Sequence, residues 1–495
     1  MLILSQVKRL PIAKNPFLCY FYPMDNAKIE LQHKKGKLFV TERLDLLLDK
    51  GSFTEILDGD RDGVYTGCGL INGEKVFVFA QDFTEQGGSI GLRHGKRIAE
   101  VISRAIDEKR PVIGIFDSGG ARITEGVDAL AGCGEFLYQN VRASGVIPQI
   151  SVILGPTAGA SSYSQSISDV VFSVKNVGCS FVTGPDVVRS VTGEECTPND
   201  LGGAEMHAEE SGLVHVLCDT EETCFASIRK FFSLLLNKQI PHFTDHGRSF
   251  LSDVEKLDQK TPYDMRNVIA DIFDKDSFFE LQPLYAPNLT VGLALLGNVT
   301  VGVIADNPKF LGGALDVRSA EKGGRFVRFC DCFNIPVITL TDTPGYLPGT
   351  EQEHGGIVRR GAKLLYAYAE ATVPKITLIV RKAYGGAYIA MGSKHLRADK
   401  VYALSSCRAA VMGAEGATNI LYRKQLAALG DSEKKAFLNQ KTEEFIEKQS
   451  DVNALVEKGY VDEILPADKV RSVLYRDVVA LSGRSRENKH GNIPL

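Results

Sequence analysis

The sequence predicts an α/β fold built as a tandem duplication of one domain. Three observations carry this prediction: a chain of 495 residues, a phrase that recurs 225 residues later, and short apolar runs that each lead into a glycine-rich turn. A chain of this length exceeds one compact core. Apolar runs that alternate with turns and helical segments are typical of parallel strands joined by helices, and such sheets bind ligands at their strand ends.

The repeat begins with LLDKGSFTEI at 47–56, which returns as IFDKDSFFEL at 272–281. Further along, ASGVIPQISVILGPTAGA (143–160) parallels ATVPKITLIVRKAYGGA (371–387) with almost no change in spacing. Because this period is far above the ~20–50 residues of a solenoid, it indicates two whole domains. We therefore predict four parts: an arm at 1–30, a first domain at 31–240, a linker at 241–262 and a second domain at 263–495.

The bulk composition excludes several classes of partner. A net charge of −4 gives no general basic surface for nucleic acid or anionic lipid, and the apolar runs are too short to span a membrane. The 10 cysteines include no C-x-x-C pair, so we expect free thiols in a reducing, cytoplasmic compartment and no metal site. The first 26 residues, which contain no acidic residue before Asp25, are interpreted as a docking arm rather than a transit peptide.

Four glycine-rich turns are the candidate sites, two in each half. They are DSGGARITEG (117–126), GPTAGASSYS (155–164), DTPGYLPGT (342–350) and YGGAYIAMG (384–392). Glycines at such turns allow close approach of a ligand and direct consecutive N–H groups inward, which suits a developing oxyanion such as a thioester enolate. A single turn of this kind is ordinary strand-to-helix geometry, but pairing across a duplication favours function.

The side chains that usually carry chemistry are missing from these turns. The sequence contains no G-x-S-x-G elbow, no Walker A loop and no G-x-G-x-x-G fingerprint. Ser118 has no evident histidine partner, and Asp117 and Asp342 are expected to cap the turns that follow them. We expect surface or core roles for the scattered histidines, which are His207, His215, His354 and His395. The pattern therefore indicates catalysis mainly by backbone amides, with the base supplied by a bound group.

Several motifs closely resemble the carboxyltransferase (β) subunits of biotin-dependent acyl-CoA carboxylases, most of all the propionyl-CoA carboxylase type. They are FDSGGARITEGV, FVTGPDVV, the long run from RFVRFCDC to KAYGGAY, AVMGAEGA and the terminal KHGNIPL. The resemblance covers about residues 30–495. The zinc-ribbon acetyl-CoA carboxylase type is less similar because its cysteine pairs are absent here.

This resemblance implies two crotonase-like (ClpP/crotonase) domains, the first holding coenzyme A and the second holding biotin. In the family, carboxybiotin releases CO₂ and leaves a ureido oxyanion, biotin takes the α-proton of the acyl-CoA, and the enolate captures CO₂. The duplication thus supplies two oxyanion holes for two oxyanions. The resemblance also implies that the two domain types face each other across a dimer, within a hexamer.

Residue roles follow from the matching motifs. The amides of Gly159 and Ala160 are expected to stabilise the thioester enolate, and those of Gly386 and Ala387 the biotin oxyanion. The residues expected to bind coenzyme A are Lys34, Lys35, Lys37, Gly119 and Gly120. The residues expected on the biotin side are Gly345, Tyr346, Gly385 and Tyr388, and Ile389 is expected to help select the acyl chain.

The chain also departs from the family pattern. Ala160 replaces a glycine, Gln165 a proline and Leu92 a glutamate, while Leu404 and Ser405 replace a Trp-Pro pair. Together with the apolar Ile389, these differences bear on the acyl group, which we expect to differ from propionyl, rather than on the reaction class.

The chain has no AMKM biotin-attachment motif and no ATP-grasp-like glycine loop. The implied partners are therefore a separate biotin carboxylase and a separate biotin carboxyl carrier protein. Three alternatives stay open from the sequence: the decarboxylase α subunit of a sodium-pumping complex, a crotonase-like hydratase or isomerase, and a non-catalytic paralogue. The hydratase would need a glutamate beside one turn and only one active domain.

Overall fold

The computed structural model describes residues 26–245, 247, 250–482 and 490–494. The interpretation of the N-terminus as a docking arm falls mostly on residues 1–25, which lie outside the described residues. The described chain is a mixed α/β fold with two largely parallel sheets, as the sequence predicts.

The first half contains nine strands and nine helices in its described residues. The strands are β1 (Thr54–Glu55), β2 (Val64–Ile71), β3 (Glu74–Gln81), β4 (Val112–Phe116), β5 (Gln149–Ile153), β6 (Pro156–Ala158), β7 (Val170–Val174), β8 (Cys179–Phe181) and β9 (Val216–Cys218). The helices are α1 (Asn26–His33), α2 (Val40–Leu47), α3 (Leu92–Glu108), α4 (Val127–Ala143), α5 (Ala160–Ile167), α6 (Pro185–Thr192), α7 (Pro198–Gly202), α8 (Ala204–Met206) and α9 (Glu221–Leu235).

The second half contains the remaining elements. Its strands are β10 (Phe279–Leu281), β11 (Leu289–Leu296), β12 (Val299–Asp306), β13 (Val337–Thr343), β14 (Lys375–Tyr384), β15 (Lys400–Ala403), β16 (Arg408–Ala410) and β17 (Glu463–Ile464). Its helices are α10 (Phe250–Lys256), α11 (Met265–Ile272), α12 (Val317–Cys332), α13 (Thr350–His354), α14 (Ile357–Glu370), α15 (Gly385–Ala390), α16 (Ala414–Leu421), α17 (Arg423–Ala427), α18 (Asp431–Phe445), α19 (Val452–Glu457) and α20 (Val470–Leu481).

The two sheets share one strand order. The first runs β1-β2-β3-β4-β5-β7-β9 and the second β10-β11-β12-β13-β14-β15-β17. In each sheet the first three strands pair antiparallel and the rest are parallel. Strands β4, β5 and β7 are buried along their whole length, as expected for parallel strands covered on both faces. Beyond β5, the short strands β6 and β8 pair in parallel, and the end of β14 pairs with β16 in the same way.

Backbone conformation repeats as well as topology. Gly120 and Gly345 both have positive φ, of 92° and 129°. Gly159 and Gly385 have φ values of 63° and 61°. Positive φ recurs even at a non-glycine pair, Lys109 at 52° and Asn334 at 56°. Because such conformations are uncommon and costly for residues other than glycine, their recurrence at the same spacing means that the two halves share local turn geometry as well as strand order.

An aspartate in the segment that opens the repeat stabilises a hairpin turn in each half. Asp49 accepts hydrogen bonds from the amides of Asn72 and Gly73, between β2 and β3. Asp274 accepts from the amides of Gly297 and Asn298, between β11 and β12. The recurring aspartate therefore satisfies the exposed turn amides of both sheets.

The halves share part of their apolar core. The Phe231 ring of α9 lies 5.6 Å from that of Phe279 in β10 and 6.4 Å from that of Phe329 in α12. The stretch 241–262, interpreted from sequence as a linker, includes α10, whose Leu251 and Val254 are buried in the second core. The boundary between the halves is thus packed rather than loose.

The described residues contain no helix that is both long and apolar enough to cross a membrane. They also contain no group of three or more His, Cys, Asp or Glu side chains suited to a metal ion. The nine cysteines within the described ranges are free thiols.

Candidate functional site

The first candidate turn lies between β6 and α5. Gly159 adopts φ 63° and ψ −122° and turns the chain into the helix that starts at Ala160. The amides of Ala160 and Ser161 are in the first turn of α5, where the helix itself offers them no acceptor. This turn therefore presents two consecutive N–H groups without an intrahelical partner at a helix N-terminus, where the helix dipole favours negative charge.

The second candidate turn repeats this geometry. Gly385 has φ 61° and begins α15 directly after β14. The amides of Gly386 and Ala387 are likewise in the first turn of a helix, which offers them no intrahelical acceptor. Each half thus carries one glycine in the left-handed region followed by two amides without an intrahelical partner.

The first turn differs by one residue from the pair expected from sequence. The amide of Gly159 donates to the carbonyl oxygens of Phe181 (3.2 Å) and Val182 (3.1 Å). The amides equivalent to those of Gly386 and Ala387, at a shift of 226, are those of Ala160 and Ser161. The geometry therefore favours Ala160 and Ser161 as the donors, with Gly159 holding the turn against the end of β8.

In the first half, the turn at Gly159 lies beside the other glycine-rich turn, at 117–126. A Cβ atom added to Gly120 would lie 3.4 Å from the Cβ of Ala158, and Ser118 donates its amide to the carbonyl of Pro156 at 2.8 Å. The Gly119 amide donates to Gly87, and the Gly120 amide donates to the Ser118 hydroxyl oxygen. Gly119 and Gly120 are thus positioned beside the first turn, but their amides are already used internally.

Ser118 is fully buried and donates its hydroxyl to the carbonyl of Gly88 at 2.7 Å. Among the described hydrogen bonds, none joins this hydroxyl to a histidine. A hydroxyl committed to a backbone carbonyl with no adjacent base has no route to activation as a nucleophile.

The second half brings its expected biotin-side residues together. Gly345 has φ 129°, and a Cβ atom added to Gly386 would lie 3.7 Å from Cδ2 of Tyr346. The Tyr346 hydroxyl donates to the carbonyl of Gly361 at 3.2 Å, which holds the ring against the turn. Tyr346 therefore forms one wall beside Gly386 at the start of α15.

The next two residues of α15 differ in exposure. The Tyr388 ring packs edge-on against His395 with centroids 5.8 Å apart, and its buried hydroxyl has no hydrogen-bond partner among the described atoms. Burial raises the pKa of Tyr388 to about 12. Ile389 is 40% exposed.

The three lysines expected to bind coenzyme A separate into two groups. Lys34 and Lys35 are exposed, whereas Lys37 is buried with its Nζ 2.5 Å from Oδ2 of Asp117. Burial lowers the pKa of Lys37, opposed by the Asp117 charge. Lys37 also lines a cavity of about 490 Å³ between the end of α1 and the start of α9. Its ammonium therefore neutralises a carboxylate at the end of β4 rather than standing free.

Arg43 joins the same buried network, which sequence reasoning missed. It donates to Asp117 at 3.0 Å and, through two nitrogen atoms, to Glu221 at 2.7 and 3.0 Å. In the second half the equivalent carboxylate, Asp342, is neutralised by Arg381 at 2.8 Å. The position equivalent to Arg381 is Gly155, where a Cβ atom would lie 1.9 Å from Asp117 Oδ1. The halves thus neutralise equivalent carboxylates from different elements, so the repeat pattern could not reveal Arg43.

Two of the scattered histidines, His207 and His215, are buried or bonded internally. His215 is fully buried, and burial lowers its pKa to about 3. His207 has a pKa lowered by burial, with its ring bonded to the Ser180 carbonyl and the Ser211 hydroxyl. Neither His207 nor His215 is therefore suited to act as a base at the first turn.

The departures from the family pattern have local explanations. Ala160 is not among the residues with positive φ, so its Cβ carries no strain. Leu92 begins α3, and its amide donates to Glu125 at 2.8 Å. Leu404 is buried in the second core, and the Ser405 hydroxyl donates to Glu255 of α10.

Comparison with known proteins identifies the family of this chain. A model for the carboxyl transferase domain matches residues 31–493. The chain is 45% identical to a propionyl-CoA carboxylase beta chain of Roseobacter denitrificans over 498 residues, covering 94% of this chain and 96% of the other. It is 44% identical to a methylmalonyl-CoA decarboxylase subunit alpha of Veillonella parvula, covering 94% and 95%. A transcarboxylase 12S crystal structure, described as a hexamer with methylmalonyl-coenzyme A bound, is similar with a TM-score of 0.89 and 40% identity over 95% and 94% of the chains.

Proposed function

This chain belongs to the carboxyl transferase domain family and is a carboxyltransferase of the biotin-dependent acyl-CoA carboxylase type, and we propose that its two turns act on the two halves of that transfer. In this proposal the halves are two crotonase-like domains derived by duplication, with coenzyme A on the first and biotin on the second. The division at 31–240, 241–262 and 263–495 is part of the same proposal.

The observation that carries the proposal is the pair of amides without an intrahelical acceptor in each half. We assign the amides of Ala160 and Ser161 to the thioester oxygen of the acyl-CoA, where negative charge develops as the α-proton leaves. Fixed donors aimed at a developing oxyanion lower the barrier by roughly 3 kcal/mol for each well-aligned donor. Gly159 serves by shaping the turn, since its own amide is already bonded to the end of β8.

The second turn fits the ureido group of biotin. The amides of Gly386 and Ala387 have no intrahelical acceptor, and Tyr346 provides an aromatic wall beside Gly386. When bound, carboxybiotin supplies the carboxyl group and the base. The two amides hold the ureido oxygen, while Gly345 and Gly385 allow the backbone to approach it closely and Tyr388 supports the helix from behind.

Binding of the coenzyme A moiety is assigned to the first half. The exposed Lys34 and Lys35 are available to pair with phosphate, whereas Lys37 anchors the same segment to Asp117. Gly119 and Gly120 leave room for the pantetheine arm beside the first turn. The proposal also assigns Ile389, which is 40% exposed, to contact with the acyl chain.

Other chains complete the enzyme. We propose a biotin carboxylase and a biotin carboxyl carrier protein as separate partners, in a cytoplasmic enzyme. We also propose a hexamer of this chain, because the similar transcarboxylase 12S structure is described as one. The apolar side chains around the first turn support an interface there, since Ile123 is 95% exposed and Val182 is 62% exposed.

The test is a panel of acyl-CoA thioesters incubated with the purified chain, ATP, bicarbonate and the two partner subunits. We expect carboxylation of at least one short or medium acyl-CoA, measured as acid-stable radiolabel from bicarbonate. An acyl group other than propionyl is the expected best substrate. Absence of product from every thioester, with the partners shown to be active on another carboxyltransferase, would reject the proposal.

The reverse reaction is the second candidate, because the Veillonella decarboxylase subunit is as similar as the carboxylase chains. The same panel distinguishes them when it is run from the product side. A decarboxylase would move the carboxyl group of a malonyl-type thioester to biotin and leave acyl-CoA uncarboxylated.

A further inference from the structure

The first turn is backed by a chain of hydrogen-bonded side chains. Ser180 in β8 donates its hydroxyl to Oε1 of Gln165 at 2.7 Å, and Nε2 of Gln165 donates to Oγ1 of Thr157 in β6 at 3.0 Å. The Thr157 hydroxyl in turn donates to the carbonyl of Cys179 at 2.8 Å. All three side chains are buried, and Thr157 and Gln165 are 0% exposed.

The second turn has the same backbone without this network. In the first half, Thr157 of β6 pairs with Ser180 of β8. The equivalent pair in the second half is Ala383 of β14 with Ala409 of β16. The residue equivalent to Gln165, at a shift of 226, is Met391. Ala383, Ala409 and Met391 are all buried as well. The first turn is therefore supported by polar side chains and the second by apolar ones. All three equivalent positions differ in this way.

We propose that Gln165 is a positioning residue for the first oxyanion turn. It lies on α5, whose first two amides are the proposed donors to the thioester oxygen, and its amide group is bonded to both strands that flank the turn. Directly after Ser180, the carbonyls of Phe181 and Val182 accept from the Gly159 amide. The Gly159 bond holds the residue before α5, and the side-chain network ties the second turn of α5 to β6 and β8.

The physical reason is directionality. Apolar packing is non-directional and tolerates small rotations of an eight-residue helix, whereas hydrogen bonds weaken steeply as their angle departs from linearity. Each polar side-chain atom of Ser180, Gln165 and Thr157 has a hydrogen-bond partner, so the network leaves none of its own buried polar atoms unpaired to offset the gain. The network thus restricts the direction of the Ala160 and Ser161 amides. This inference rests on the proposed enolate role of that turn.

The main test is Gln165→Met, which copies the residue at the equivalent position of the second half. We expect kcat for the best substrate of the acyl-CoA panel to fall about tenfold, since small displacements of a catalytic group cost rate. The Kd for coenzyme A, measured by isothermal titration calorimetry, should stay within about twofold. Two substitutions of Thr157 add a comparison. Thr157→Ser keeps the hydroxyl group and should keep activity, whereas Thr157→Val removes the hydroxyl group and should lose activity. If the Gln165 variant does not fold, these two variants test the positioning role instead.

Ser164→Ala is the matched control on the same helix. The buried Ser164 hydroxyl donates to Oδ1 of Asn140 at 2.8 Å, away from β6 and β8. Its loss should lower the melting temperature without changing kcat. If Gln165→Met and Thr157→Val lower the melting temperature but keep the wild-type kcat, the positioning role is wrong. An inactive wild-type chain would instead reject the proposed function, so the two failures are distinguishable.

Discussion

Gly159 and Ala160 contribute to the first turn in different ways, and substitutions at each residue distinguish the two contributions. Gly159 provides the positive φ of 63°, while Ala160 lies in the ordinary helical region and supplies an N–H group. A side chain at Gly159 is strained in this region of φ by roughly 1–2 kcal/mol, whereas removal of the Ala160 side chain leaves its amide in place.

We expect Gly159→Ala to lower kcat about tenfold, because relief of the strain moves the amides that follow. Ala160→Gly restores the residue that the family usually carries and should change kcat by less than about twofold. Steady-state carboxylation assays on both variants check this expectation. Equal loss in the two variants would show that the Ala160 side chain, rather than the turn geometry, matters for catalysis.

At the scale of elements, the C-terminal segment joins the two halves. Asn492 donates its amide to the Ser144 hydroxyl and its side-chain nitrogen to Asp169, both in the first half. In the second half, Arg328 donates to the carbonyl of Gly491. Burial raises the pKa of Asp169 to about 6, so its carboxylate depends on the donors around it when it is charged.

Asn492→Ala should therefore reduce the free energy of unfolding by about 2 kcal/mol at pH 8, where Asp169 is ionised and loses a donor. The loss should shrink as the pH falls through 6, because the protonated acid needs that donor less. Urea unfolding at pH 8 and pH 5 measures both values. Ile493→Ala, at a side chain 53% exposed, is the control and should change little at either pH. A loss that is independent of pH would contradict the role assigned to Asp169.

Sequence periodicity was sufficient to predict the strands and helices, but not the side-chain contacts between residues far apart in the chain. The repeated Asp-Ser segment predicted a duplication, and in the structure Asp49 and Asp274 cap equivalent hairpins. The α/β class followed from buried runs such as VIGIF in β4. Arg43 escaped prediction because its partner Asp117 lies 74 residues away and its second-half counterpart occupies a different element.

Some features of the candidate site could be predicted from the sequence and others could not. The glycine-rich turns could be recognised from sequence because positive φ requires glycine, as at Gly385. Which amides are already bonded could not be recognised, since the Gly159 amide is occupied by carbonyls of β8 and the loop after it, more than 20 residues away. Likewise Gln165 appeared only as a departure, because its partners Thr157 and Ser180 are brought together by the pairing of β6 with β8. Long-range pairing, rather than local pattern, decides these details.

At the scale of the whole molecule, we expect the two turns of one chain to serve different active sites. The second half contacts the later part of α5, where Arg325 donates to the carbonyl of Ser166. Around the first turn, Ile123 is 95% exposed. Around the second turn, Val411 is 87% exposed. Each turn is therefore open to a surface that another copy of the chain could supply.

Mixing two damaged variants tests this arrangement. If each active site joins the first half of one subunit to the second half of another, a dimer of Gly159→Ala with Gly385→Ala contains one intact site and one doubly damaged site. Random co-assembly then gives mixed dimers half of the time, so activity should recover to about a quarter of the wild-type value, above that of either variant alone. Co-expression with two affinity tags, followed by tandem purification and the carboxylation assay, measures this. Sites formed within single chains would each keep one damaged turn, and the mixed assembly would then be no more active than its parents.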